Sequence, residues 1–217
     1  MKLKKIASLA LAGIMAVSML AGCNGSSNNS TNPPASSSEP TATGLVSAVK
    51  DAIKIENSDL TVDVKEGTFL NDQLDKLIED YTLEAIKAND HALIDMGVQI
   101  AFGISDIDDV KNFNNISAAS FDNCYDTVDK DTNETNWYAG VYEFGTVTAS
   151  TAQTLAAREI AEKMAFFENE VADDSATDVK ALSYTMYVAQ KNVSKADDSS
   201  VPTVFVVLKV DASQKTI

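Results

Sequence analysis

The stretch from Asn24 to Thr43, NGSSNNSTNPPASSSEPTAT, limits what this chain can fold into, because it cannot fold by itself. It carries one charge, no aromatic residue and only Ala35 and Ala42 as apolar content. So little apolar surface does not offset the entropy of ordering the backbone, and the segment is expected to remain a flexible tether. A coil of these twenty residues holds its ends roughly 25 Å apart, and full extension gives at most about 70 Å. Pro33, Pro34 and Pro40 stiffen it locally. Beyond it, Gly44 to Ile217 supplies 174 residues, enough for one domain with a substantial core.

Ahead of the tether, Lys2, Lys4 and Lys5 precede an apolar run from Ile6 to Leu20, the layout of a secretory signal. Fifteen residues fall short of a comfortable helical span, which needs roughly 20. The run ends in Leu20-Ala21-Gly22-Cys23, which resembles the lipobox of bacterial lipoproteins. The resemblance implies cleavage between Gly22 and Cys23 and a diacylglyceryl thioether on Cys23. Two acyl chains give stable anchoring where one gives only marginal binding. The plainer alternative is an ordinary signal cleaved after a small residue, with Cys23 incidental. On the lipobox reading, residues 1–22 are signal peptide, 23–43 the lipidated cysteine and tether, and 44–217 an acidic extracytoplasmic domain held at the cell membrane. The lysine-only signal and the Ser/Asn tether look Gram-positive-like.

The whole chain has 32 acidic and 17 basic residues, a formal charge of −15. Removal of residues 1–22 takes away three lysines and no acid, leaving a net −18. Nucleic-acid binding, which depends on Lys and Arg neutralising phosphates, is therefore not expected. Neither is a second, electrostatic contact with anionic lipid. Cationic partners and divalent cations are compatible with this charge, although acid excess also simply keeps an exported protein soluble. With Cys23 committed to lipid, Cys124 is the one thiol left, so no disulfide can form within the domain. Cys124 lies in a strand-like run and is expected to be buried and inert. His91 is the sole histidine, which excludes a histidine-rich zinc site.

Along the domain, Leu45, Val49, Ala52 and Ile53 fall at helical spacing and predict a first helix over 44–56. Leu60, Val62 and Val64 alternate as in a half-buried strand. Asn71 is a plausible cap for a helix to Asn89, with Leu74, Leu77, Ile78, Tyr81 and Ala85 inward. Val98, Ile100, Phe102 and Ile104 alternate and predict a strand over 96–104, and Ser105 with Asp108 predicts a short capped helix. Phe121–Val128 and Trp137–Val147 read as a hairpin with a long polar loop. Ser150 with Gln153 forms a capping box for a helix whose inner face holds Ala156, Ile160, Met164, Phe167 and Val171. Leu182–Ala189 and Val201–Val210 read as a last strand pair. The expected fold is α+β, a largely antiparallel sheet with two main helices.

Signals for chemistry are sparse. Asp129, Asp131 and Asn133 have the alternating oxygen ligands of a calcium loop. Glu134 stands where an EF-hand needs Gly, and Gly140 where it needs a bidentate Glu, so only a looser calcium site remains against a solvated turn. Trp137, Tyr138 and Tyr142 form an aromatic strand that could stack on sugars or belong to the sheet core. Ser47-Ala48-Val49-Lys50 matches SxxK, without the SDN and KTG elements that accompany it in penicillin-recognising enzymes. No other cofactor motif occurs. His91–Val110 is loosely similar to a central piece of the CAP superfamily. That resemblance covers about twenty residues, has Val98 and Gln99 where an acid is expected, and lacks the second histidine.

The expectation that follows is a lipid-anchored bacterial surface protein, non-catalytic, binding a protein, peptide or glycan at the cell envelope. A cell-wall-directed hydrolase using Asp or Glu is the alternative, since such pairs are assembled only by the fold.

Overall fold

A computed structural model describes residues 42–68, 71–88, 92–104, 110–117, 134–172 and 179–215, all within the compact unit Glu39–Ile217. Five α-helices are described: α1 (Ala42–Glu56), α2 (Asn71–Asp80), α3 (Leu83–Ala88), α4 (Ala92–Phe102) and α5 (Ala149–Met164). The strands are β1 (Val62–Glu66), β2 (Val110–Asn112), β3 (Glu134–Glu143), β4 (Glu170–Ala172), β5 (Val179–Ser194) and β6 (Ser200–Lys215). The fold is α+β, as expected.

The sheet order is β1-β5-β6-β3-β2, with β4 also on β5. It is mixed, which corrects the expectation of a largely antiparallel sheet. β6 runs antiparallel to β5 and β3, and β4 antiparallel to β5, but β1 pairs parallel with β5 and β2 parallel with β3. Parallel neighbours need a crossover connection, and the long segments between β1 and β5 and between β2 and β3 supply it. β5 and β6 are joined by a short turn, where Lys195 N donates to Ser199 O at 2.7 Å and Asp198 takes a φ of 61°. One consequence is geometric: β1, β5, β3 and β2 all point their carboxyl ends to one pole of the domain.

Alternation along the strands builds a core on each face of the sheet. On one face Leu45, Val49 and Ile53 of α1 and Ala156, Ile160 and Met164 of α5 cover Met186, Val188, Val204, Val206 and Leu208. On the other, Leu74 and Leu77 of α2, Leu83 and Ile86 of α3 and Val98 of α4 cover Trp137, Ala139, Val141, Phe205 and Val207. Every residue from Val201 to Leu208 is buried, the mark of a central strand covered on both sides. Each fully buried aliphatic or Phe side chain contributes roughly 1.5–3 kcal/mol.

Several local expectations are corrected. The helix expected over 71–89 breaks at Tyr81-Thr82, where Thr82 Oγ1 accepts from Ala85 N at 3.4 Å and starts α3; Tyr81 is 42% exposed instead of inward. The run 96–104 is helical through Phe102: Val98 is buried while Ile100 is 61% exposed, which a strand face shared by both could not give. The N-cap of α5 is Thr148, extended at φ −69° and accepting from Thr151 N at 3.2 Å, so Ser150 and Gln153 form no capping box. α5 ends at Met164; Phe167 is buried beyond the turn, and Val171 belongs to β4. β3 pairs with β6 and, over Trp137–Ala139, with β2. The expected first hairpin arm, 121–128, the short helix at 105–109, Cys124 and His91 lie outside the described residues.

Candidate functional site

The aromatic candidates are drawn inward. Trp137, Tyr138 and Tyr142 are 8%, 6% and 9% exposed. Trp137 lies 4.1 Å from the Phe102 ring between centroids, with Lys209 Nζ 5.9 Å from its own centroid. Lys111 Nζ stands 5.8 Å from the Tyr138 ring centre, and Tyr142 stacks on Phe144 at 6.5 Å and 5°. Their faces are occupied within the domain, so they form no exposed platform for a sugar ring. The Tyr142 hydroxyl is buried and has no hydrogen-bond partner among the described residues. Burial, helped by Glu159 and Glu162, holds its ionisation far above the ordinary tyrosine range.

Asp129, Asp131 and Asn133, the calcium-loop candidates, lie outside the described residues, as do Gly22 and Cys23. Among the described residues no three His, Cys, Asp or Glu side chains are grouped to hold a metal ion.

Two poles remain, and the elements define them. At the pole where β5 and β3 end, the amino ends of α1 and α5 lie close together, and a glutamine pair ties α5 to β5. Gln153 Nε2 donates to Gln190 Oε1 at 2.7 Å, and Gln190 Nε2 donates to Ala149 O at 3.0 Å. Gly44, in the first turn of α1, has room for no more: a Cβ there would stand 3.2 Å from Gln153 Oε1. α1 begins at this pole, at Ala42. Paired charges surround it. Lys191 bonds Asp75 at 2.7 Å, Lys87 bonds Glu143 at 3.1 Å, and Glu84 accepts from Ala196 N at 3.0 Å. The Lys87 contact, followed by the Gly145 N–H, holds the Glu143 carboxyl below its ordinary range.

The opposite pole is where α1 and α5 end and β1 and β5 begin. Asn57 Nδ2 donates to Phe167 O at 2.9 Å and Met164 O at 3.2 Å. Asn169 accepts from Thr61 N at 3.1 Å, donates to Asp59 O at 2.6 Å, and its own carbonyl accepts from Leu182 N at 2.8 Å. Tyr184 Oη donates to Glu168 O. These bonds staple the loop after α1 to the loop after α5, and the last turn of α1 and the loop after α5 each present one large apolar side chain to solvent. Ile55 is 48% and Phe166 45% exposed, and Glu56, Asp59 and Glu168 on the same two chain segments are exposed as well. From Leu182 to Gln190, β5 spans about 26 Å between the two poles.

Sequence reasoning missed this pair. Phe166 and Phe167 are adjacent, and of two neighbouring residues leaving a helix only one can enter the core; that was the available signal.

No protein-family model, no curated protein and no solved structure matches the chain.

Proposed function

We propose that the protein is a lipid-anchored binding module of a bacterial envelope, tethered through Cys23 and presenting a folded domain to a protein or peptide partner. The observation that carries this reading is Leu20-Ala21-Gly22-Cys23, placed between a lysine-led apolar run and a tether too polar to fold. The domain adds support in its arrangement. Its first helix, α1, starts at Ala42, within the last two residues of the tether stretch, and the pole at the far end of that helix carries Ile55 and Phe166 in solvent.

A pull-down from envelope extracts with the full mature chain as bait, run with and without calcium beside a glycan array, tests the binding half of the proposal. A partner recovered reproducibly, and lost on competition with untagged protein, is the expected outcome. Failure to retain any protein or glycan under every condition argues against a binding module.

A further inference from the structure

We propose that the pole where α1 and α5 end, which exposes Ile55 and Phe166 together with Glu56, Asp59 and Glu168 on the same two chain segments, docks a cationic segment of another envelope protein, one carrying an apolar side chain among lysines or arginines. This inference rests on the binding-module reading and names the surface and the partner class.

Charge complementarity identifies the occupant. Glu56, Asp59 and Glu168 are exposed on the two segments that carry the apolar side chains, against exposed Lys54 on α1 and half-buried Lys163 on α5, whose Nζ donates to Ile116 O at 3.0 Å. In a mature chain of net −18 the long-range field also favours approach of a basic partner and repels anionic polymers. Phe166 adds a ring face on which an arginine or lysine can sit, an attraction of about 0.5–1 kcal/mol at an exposed position. An apolar residue of the partner would complete the burial of Ile55.

The surface is preorganised, which limits the entropy lost when a partner docks. Asn57 fixes the exit of α1 against the carbonyls of Met164 and Phe167, so Ile55 and Phe166 each lie within three residues of the same contact. Asn169 and Tyr184 hold the flanking loop. α1, of 15 residues, carries the chain about 22 Å along its axis to this pole.

The test uses the full mature chain, wild type and variant, in detergent micelles. The probes are fluorescent peptides rich in lysine and arginine, each with one Phe, Leu or Trp, and their acidic counterparts. Binding is read by anisotropy, and the mass of the Cys23 N-terminal peptide is read on the same sample. Basic peptides are expected to bind and acidic ones not. Phe166→Ser with Ile55→Ser, and separately Glu56→Gln with Glu168→Gln, are each expected to weaken binding about tenfold or more. A control pair on α2, on the other face of the sheet, Glu79→Gln with Asp80→Asn, removes two exposed charges and is expected to leave it within about twofold. Circular dichroism confirms that each variant is folded, which exposed positions permit. Equal weakening by the control pair shows attraction to total charge alone and overturns the proposal; so does failure of every basic peptide to bind. An unlipidated Cys23 in a sample that still binds would remove the anchor and leave the docking surface standing.

Discussion

Asn57 closes the end of a helix that begins 92 positions later in the chain: its Nδ2 donates to Phe167 O at 2.9 Å and Met164 O at 3.2 Å. Helix carbonyls at a carboxyl end have no partner in their own helix. Here a side chain from the loop after α1 supplies two bonds, and the ends of both helices become one unit.

Replacing Asn57 by Ala leaves those carbonyls without the donor, and replacing it by Asp puts an acceptor in its place. Both are expected to lower stability by about 1–3 kcal/mol, with Asp at least as costly as Ala. Urea denaturation of the mature chain checks this. An effect within about 0.5 kcal/mol would mean water takes over the bonds at no cost.

Gly140 is held by packing. A Cβ on it would meet Asn114 Oδ1 at 2.5 Å and Phe113 Cβ at 3.0 Å, because the turn Phe113–Asn115 lies directly on β3, with Asn114 Nδ2 bonded to Val141 O at 3.0 Å. Gly140→Ala is expected to cost about 1–3 kcal/mol. In a double-mutant cycle with Asn114→Ala the two losses should fail to add, since removing the amide makes room for the methyl. Additive losses would place the conflict elsewhere.

Tyr142 buries a hydroxyl that has no partner among the described residues. Tyr142→Phe is expected to be neutral or to stabilise, by up to about 1 kcal/mol. The pH dependence has a definite sign. Below the ordinary value of 10.0 the phenol is protonated in both states; above it the unfolded chain releases the proton and the folded one does not, so stability falls as pH rises past 10.0. Part of that alkaline loss should vanish in Tyr142→Phe. An unchanged profile would contradict the burial of this hydroxyl.

At the acid end Glu143 acts in the other sense. Its carboxyl is held below the ordinary 4.5, first by Lys87 and then by Gly145 N–H. Its contribution is present above 4.5 and is lost as pH falls through the lowered value. The pair is largely solvated, so the effect is small. Melting temperatures of wild type and Glu143→Gln should differ at pH 7 and converge by about pH 3; a constant difference would rule out ionisation as its source.

Much of the fold was legible where period and burial agree. Val201–Val210 is apolar on both faces and became the central strand, and Ala156, Ile160 and Met164 keep one helical stripe. The run from Val98 to Ile104 was misread because Val98 and Phe102 are four apart, which suits a strand face and a helix turn alike. What decides is burial against Leu74 and Trp137, a contact no local window contains. Likewise β1 pairs Val62 with Tyr184 and Val64 with Met186, across more than a hundred residues, so its parallel sense could not be read locally. The aromatic strand was recognised but not its fate. Tyr138 and Tyr142 face one helical layer and Trp137 the other, so a row that could serve a ligand serves the core twice over. Ile55 and Phe166 are positioned by Asn57 and Asn169, polar residues whose role exists only once the two loops meet.

The lipid anchor is read from the intact mass and N-terminal peptide mass of the protein from the membrane fraction of cells expressing the full chain, beside Cys23→Ala. A mature chain beginning at Cys23 with diacylglycerol on its sulfur is expected, and a Cys23→Ala product that keeps its signal and lacks the lipid mass. A chain that begins elsewhere, or a bare Cys23 with the same membrane fractionation as Cys23→Ala, would contradict it.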